Sequence, residues 1–597
     1  GLGDVYKRQA AGDLQQTIDN AQSGDEIWIA AGTYKPTTKI YASQRTSLAF
    51  ILKEGVSLYG GFSGTETAKD ERQRGGESWD FTNATILSAD DDNPDEWNRL
   101  TDSYYNWWLW DFQGDGTMQV PGTKNNSAHV LYCKSEFATA TAIDGLTLTG
   151  ANANVTRATP AGGALYALGN IQLSNCRIVE NSAYYKAENF DDSNTYGGAV
   201  YLKGTGGASI KGCLFERNYA HSAYGNALGG AIWAGGNTTV SDCTFIDCTS
   251  TDFGGGVYLK GANVSLQNCS FKGCYGSRGG AVYIDGANAS DLVIEDCRSV
   301  VFGGGAINKS GKLSRAIIRG CSSDTEAYGS DNGGLGGGLY NDGGYTDNCA
   351  IFNSFAFKGG GVYSTGGTLE HCTVVNNTQR FEGIGGDTFA SDDNSHFYNS
   401  ITETAEASNF NSPVAFSGLP TENSQWETLR NADWSLMPGS AFIDSASDIT
   451  PTSSIDLAGN PRVAGAMADR GAYEYQGGGK VPTIVLTFKD GTQNATIGVG
   501  GATGYEFTID WGNGEEITYS SASYHSHALT GNTVKIYGSE IQVLQAQESD
   551  ILSADVSNAP ALTRIMLGGN GMTSLTLGNH PSLTGIYAGA NKLTSIN

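Results

Sequence analysis

The sequence predicts an all-β protein whose larger part is a parallel β-solenoid, followed by a small β-domain and the start of a second, shorter-period repeat. Three observations carry that prediction. A Gly-Gly string recurs about every 25 residues between about 160 and 390, a column of cysteines follows it at a matching interval, and from Ile541 apolar residues recur every 21 residues. Self-similarity at a fixed period marks units that bury their apolar face only by stacking on one another.

The string is Gly-Gly, a small residue, an aliphatic and usually an aromatic. It runs from Gly162 to Tyr166, Gly197 to Tyr201, Gly229 to Trp233, Gly254 to Tyr258, Gly279 to Tyr283, Gly304 to Asn308, Gly336 to Tyr340 and Gly359 to Tyr363, with a worn copy from Gly385 to Phe389. Successive fifth positions lie 35, 32, 25, 25, 25, 32, 23 and 26 residues apart, so the base period is one solenoid turn with insertions. The two-residue period of a strand puts Val200 with Leu202, Val257 with Leu259 and Val282 with Ile284 on one face, the core face. Tyr166, Tyr201, Trp233, Tyr258, Tyr283, Tyr340 and Tyr363 then point outward as an aromatic column. Two readings of that column stand open: a structural ladder beneath loops, or a flat platform for sugar rings or a partner protein.

Cys176, Cys213, Cys243, Cys269, Cys297, Cys321, Cys349 and Cys372 are expected to form one ladder, with Asn181, Asn218, Cys248, Cys274 and Asn377 in a slot five residues further on and Cys133 left over. Stacked strands lie about 4.8 Å apart, within disulfide reach, yet in-register stacking points the Cβ vectors the same way. Buried free thiols, disulfides between coils and metal ligation are the three outcomes, and no paired Cys/His spacing of zinc type is present.

Composition supports folding and limits partners. The chain of 597 residues has 83 glycines but 12 prolines, 29 tyrosines and 10 tryptophans, which suits many tight turns between short strands. A formal net charge of −26 argues against nucleic acid or an anionic membrane as partner. No apolar run is long enough to span a bilayer as a helix.

The repeat pattern resembles the pectin-lyase-like right-handed parallel β-helix superfamily, and the Gly-Gly strings together with Phe215 and Asn218 resemble polymorphic outer-membrane-protein repeats. In chain order, Asp4 to Gln9 resembles a translated sequencing adaptor, so residues 1–9 are set aside. The solenoid is then expected over 10–476. Leu14 to Ala21, followed by Gly24 to Ile29 and Gly32 to Tyr34, is similar to that family's amino-terminal cap, a short helix turning into the first strand. Val56 to Glu66, and Asp456 to Arg462 with Asp469 to Glu474, are similar to segments that open and close surface β-helix proteins of Bacteroidota, the choice-of-anchor type. That resemblance implies a bacterial protein at the outer-membrane surface or outside the cell. A Gly-rich linker at 477–482 leads to a module over 483–540, where Tyr505 to Gly514 resembles the turn of polycystic-kidney-disease-type β-sandwich modules, with Asn513 in place of the usual second Asp. His525 and His527 share a strand face there and are read as packing. Residues 541–597, with Asn570 and Asn591 in an asparagine slot, resemble the start of a leucine-rich repeat array that breaks off mid-repeat, so both natural termini are expected outside this sequence.

Chemistry is harder to find. A glycosidase on this scaffold needs a carboxylate pair, and a polyuronate lyase needs calcium-holding carboxylates and a basic residue. Lys203, Lys260 and Asp285 face outward, but no recurrent acid pair is evident, so no catalytic residue is named. The acidic run with Asp90, Asp92 and Asp95 offers oxygen ligands suited to calcium, the one cofactor considered, or is a solvated loop. Trp107, Trp108 and Trp110 either cover an early coil or line a carbohydrate groove. The reading placed first is an adhesin-like surface protein binding glycans or surface proteins. The second is a polysaccharide lyase or glycoside hydrolase, and a plain structural stalk is a third.

Overall fold

The computed structural model describes residues 13–97, 120, 122–154, 160–185, 194–204, 206–223, 225–323, 333–380, 388–390, 394–402, 409–412, 433–447, 451–465, 467–476, 482–501, 506–512, 516–520, 523–538, 540–578 and 580–593, with the backbone of 6–7. The chain divides into two compact units, residues 1–403 with 415–430, and residues 404–414 with 431–597.

The first unit is a parallel β-helix. One coil shows the plan: Val200–Leu202, then Ala208–Lys211 and Leu214–Glu216, then Tyr219–Ser222, each run belonging to a different side of the coil. Coil-to-coil pairing is parallel and in register, as in Val200 to Ile232 to Val257 to Val282. Val200, Leu202, Val257, Leu259, Val282 and Ile284 are buried in a single continuous core, as the two-residue period requires. Phe215, Phe245 and Phe271 stack inside it with centroids 4.9 and 4.5 Å apart.

The Gly-Gly pair has two separate causes. Gly229 sits at φ +80°, a conformation that L side chains rarely adopt. Gly230 has no such φ, but a Cβ there would lie 2.0 Å from the Gly255 carbonyl oxygen and 2.4 Å from that of Thr249. The first glycine turns the chain and the second lets coils touch.

Two corners per coil repeat the same device. At each, a residue in the left-handed region precedes a small polar or thiol side chain that points into the core: Asn175 before Cys176 and Asp242 before Cys243 at one, Arg217 before Asn218 and Asp247 before Cys248 at the other. The bend leaves a backbone N–H without a strand partner, and the next coil supplies the acceptor. Cys176 N–H donates to Cys213 Sγ at 3.4 Å, Asn181 N–H to Asn218 Oδ1 at 3.0 Å, and Cys372 N–H to Ser400 Oγ at 3.0 Å.

Register corrects the expected cysteine column. Cys269 pairs with Leu292, which pairs with Ala316. Cys297 and Cys321 therefore stand in the second ladder, following Cys248 and Cys274, where each accompanies its own bend at Asp296 and Gly320. All eleven cysteines are free and buried. Burial pushes the Cys213 and Cys248 thiols up, away from the reactive thiolate. The native protein is therefore expected to ignore a thiol-specific chromogenic reagent and to titrate eleven thiols once denatured. Fewer than eleven under denaturing, non-reducing conditions would reveal disulfides.

The expected cap is present. Helix Leu14–Asn20 is capped by Asp13, whose side chain accepts from Gln15 N–H, and it buries Leu14 and Ile18 on the core. Gln15 closes the first coil by accepting from Ile51 N–H at 2.7 Å and donating to Ile51 O at 3.2 Å. Tyr6–Lys7, set aside above, pair in parallel with Ile27 and Trp28.

In the second unit two sheets enclose one core containing Ile484, Phe488, Trp511, Leu544, Leu562 and Leu575. The module over 483–540 and the 21-residue repeats share both sheets: Ile484–Phe488 pairs with Ile551–Asp555, and Asn494–Gly500 with Val543–Gln545. From there the strands run parallel at the repeat spacing, Leu544 to Ile565 to Ile586. Asn570 donates to Ala546 O and Leu567 O and accepts from Ser549 and Ile551 N–H, and Asn591 repeats the arrangement one coil later. His525 packs on Phe507 and Tyr519, and His527 on Trp511, as the packing reading expects. Among the described residues no helix is long and apolar enough to cross a membrane.

Candidate functional site

A concavity of the first unit lies over three stacked coil corners. Ala89 N–H donates to Thr149 O, and Gly150 N–H to Glu180 O, so the turns after Thr85–Ser88, Leu146–Thr149 and Arg177–Val179 sit directly on one another. At the first corner the chain departs as the acidic segment beginning at Asp90. The result is a pocket of about 460 Å³ whose lining includes Asp90, Asp92, Asp95, Trp97, Thr149 and Glu180.

Its carboxyl groups stand in different surroundings. Asp95 Oδ2 accepts from Trp97 Nε1 at 3.2 Å and from Asn126 Nδ2 at 3.0 Å, while its buried Oδ1 has no hydrogen-bond partner. Burial, with the negative charges of Asp90 and Asp91 adding to it, pushes Asp95 up to about 6. Glu180 is held by a guanidinium instead, accepting from Arg217 Nε at 3.0 Å and Nη2 at 2.8 Å. One pocket thus offers a carboxylic acid disposed to keep its proton and a carboxylate paired with a cation, the division of labour that acid–base chemistry needs.

The three aspartates singled out in the sequence do meet here, but not as a calcium cage. Asp92 is tied to Lys35 at 2.5 Å, Asp90 Oδ1 accepts from Asp92 N–H, and Asp95 is turned to Trp97 and Asn126. Calcium takes six to eight oxygen ligands, most of them anionic or carbonyl. Among the described residues no three His, Cys, Asp or Glu side chains gather as metal ligands. Trp107, Trp108 and Trp110 lie outside the described residues.

The middle of the aromatic column is a covered ladder, with Tyr166, Tyr340 and Tyr363 half-buried toward its ends. Tyr201, Trp233, Tyr258 and Tyr283 are 6–8% exposed. Ring centroids lie 5.1 Å apart for Tyr166 and Tyr201, 4.9 Å for Tyr201 and Trp233, 4.9 Å for Tyr258 and Tyr283, and 5.6 Å for Tyr340 and Tyr363. Tyr196, Leu228, Phe253 and Phe302 from neighbouring loops pack against them, with Phe253 meeting Tyr283 edge-on at 5.1 Å. Insertions between coils fold back over the rings and make a second apolar core outside the sheet, so ring faces that would meet a ligand meet one another.

Two features escaped the sequence reading. Glu180 joins the pocket through coil register; its signal was its place just before Asn181, at the corner. A recurrent acid pair also exists: Asp347 and Glu370 are register partners, two residues before Cys349 and Cys372. Their side chains are only 2% and 6% exposed. Ser314 and Asn348 donate to Asp347, and Tyr345 to Glu370, so the pair is walled into a polar network that braces the coils.

Comparison with solved structures finds distant likenesses. A pectate lyase is 11% identical with a TM-score of 0.27, covering 77% of this chain and 90% of its own. The tailspike protein gp49 of an Acinetobacter baumannii bacteriophage, a capsular polysaccharide depolymerase, is 12% identical with a TM-score of 0.28, covering 89% and 83%. A mannuronic acid specific family 6 polysaccharide lyase from human gut microbiota is 10% identical with a TM-score of 0.29, covering 64% and 80%. No residue role is carried over from them. No curated protein matches the sequence. Residues 140–322 match the family model described as a right handed beta helix region, and the stacked coils of the first unit form a right-handed parallel β-helix.

Proposed function

We propose that the β-helix cleaves a polysaccharide by acid–base hydrolysis in the pocket shared by Asp95 and Glu180. The observation that supports this reading is the contrast between those two carboxyl groups in one concavity: the acid raised to about 6 and the carboxylate paired with Arg217. Asp95 donates its proton to the glycosidic oxygen as the carbon–oxygen bond breaks. Water adds to the sugar carbon and gives its proton to Glu180. A net charge of −26 favours a neutral glycan over a polyuronate. Hydrolysis suits the pocket better than β-elimination, because what stands out is a proton donor and not a basic side chain facing the ligand. The adhesin reading loses the open aromatic face on which it leaned. Polysaccharide is met outside the cell, so the reading carries an extracellular or cell-surface location. Within it, residues 483–597 are a β-sandwich-like module continued into leucine-rich-type repeats, an appendage to the solenoid.

The test is turnover. The full chain is incubated with neutral and acidic polysaccharides, and new reducing ends are followed in time. Sustained release is expected on a neutral glycan, lowered roughly 100-fold or more by Asp95→Asn and by Glu180→Gln, with melting temperatures confirming that both variants fold. The rate should also fall as pH rises through about 6, where Asp95 loses its proton. No release on any substrate, or full activity in both variants, refutes the assignment.

A further inference from the structure

An open aromatic surface does exist, on the second unit. Strands Ser523–Ala528, Asn494–Gly500, Val543–Gln545, Arg564–Met566 and Gly585–Tyr587 form one sheet. Register aligns Tyr524, Gly498, Gln545, Met566 and Tyr587 in a row across it. In-register neighbours share a face, and the opposite face carries the core residues Ile497, Leu544 and Ile565. Tyr524 is 63% and Tyr587 58% exposed, the two most exposed large hydrophobic residues among those described.

A Cβ on Gly498 would come within 3.0 Å of Tyr524 Cε1, and one on Gly585 within 3.0 Å of Tyr587 Cε2. Each ring thus has bare glycine backbone beside it and leaves more than half of its surface to solvent. Tyr524 is pinned by its hydroxyl, which donates to Gln545 Oε1. Between the tyrosines the row offers Gln545 and Met566, and beside it Thr496 and Ser526 share a hydrogen bond of 2.8 Å. Four strand steps separate the two rings, about 19 Å at the usual strand spacing, enough for several sugar units.

We propose that this face binds a neutral polysaccharide chain, with Tyr524 and Tyr587 stacking on sugar rings and Gln545, Thr496 and Ser526 meeting hydroxyls. Charge selects that occupant. Across the five strands the only Asp, Glu, Lys or Arg is Arg564, a single cation on the face of the row, while the whole chain carries −26, so the molecule repels acidic glycans and a neutral one is favoured. Exposed rings with hydrogen-bonding neighbours suit the apolar ring faces and equatorial hydroxyls of a sugar chain. The assignment is independent of cleavage in the Asp95 pocket.

Affinity electrophoresis of the full chain in gels containing neutral β-glucan, mannan, xylan or none reads it directly. Retardation is expected with at least one polymer, weakened roughly tenfold by Tyr524→Ala and by Tyr587→Ala and weakened further in the double variant. Tyr524→Phe, which keeps the ring, should retain most of it. Absence of retardation with every polymer, or a folded double variant retarded as strongly as the wild type, overturns the proposal. So does equal loss in Tyr524→Phe and Tyr524→Ala.

Discussion

Replacing Arg462 by alanine is expected to cost the second unit about 3–5 kcal/mol, the usual consequence of removing one partner from a buried ionic network. The Arg462 side chain is 1% exposed and lies 3.7 Å from Glu474. Its Nη2 donates to Asp469 O at 2.6 Å and Gly471 O at 2.9 Å. Around it, three carboxylates serve backbone N–H groups that have no strand partner. Glu474 accepts from Ala464 and Asp469, Asp469 from Asp444 and Tyr475, and Asp456 from Asn460 and Glu474. The guanidinium is the counter-charge beside Asp469 and Glu474, which burial pushes up to about 6 and about 7, and alanine leaves these two buried acids without it. Urea unfolding followed by tryptophan fluorescence gives the number. A loss below about 1 kcal/mol would mean that water reaches the knot and screens it.

The second large effect is expected at Gly230→Ala, about 3 kcal/mol or more. The atoms that a Cβ would meet there, Gly255 O and Thr249 O, belong to backbone locked in the coil stack, and no rotamer change relieves the clash. Gly76 is the control: a Cβ there meets nothing within 4 Å and its φ is ordinary, so Gly76→Ala should change stability by less than about 0.5 kcal/mol. Hydrogen exchange of amides in the coils from Gly197 to Tyr283 should show the Gly230 defect as local opening on both sides of the substitution. Equal protection in the two variants would refute a contact-driven role for the second glycine.

Much of the fold was legible because a solenoid writes its register into its period. The Gly-Gly strings, the inward Val200 and Leu202, the helix at Leu14 and the repeats from Ile541 all follow from short-range patterns that stacking only multiplies. The cysteine ladder was misread at Cys297 and Cys321 because both corners of a coil accept the same residue types, and spacing alone does not say which corner a cysteine occupies. The site was less legible. Asp95 and Glu180 are far apart in sequence and meet through coil register, and the shift on Asp95 comes from burial, which no local pattern encodes. The aromatic column left two readings open for a related reason: periodicity showed that the rings point outward, but what covers them is supplied by insertions of irregular length. Tyr524 and Tyr587 stand on the 21-residue period with Gln545 and Met566, but the period was followed along its apolar, core-facing positions and the opposite face went unread.

The corner bonds make each coil both a debtor and a creditor of its neighbours, lending a side-chain acceptor backward and needing one from ahead. Asn, Cys and Ser all honour that exchange, as Asn218, Cys213 and Ser400 show. A whole turn can therefore be spliced in or out with every ledger line still matched, whereas a fragment of a turn strands an amide at two corners. Length in such a molecule is quantised, and lineages can lengthen or shorten the distance between its two ends one turn at a time without redesigning either.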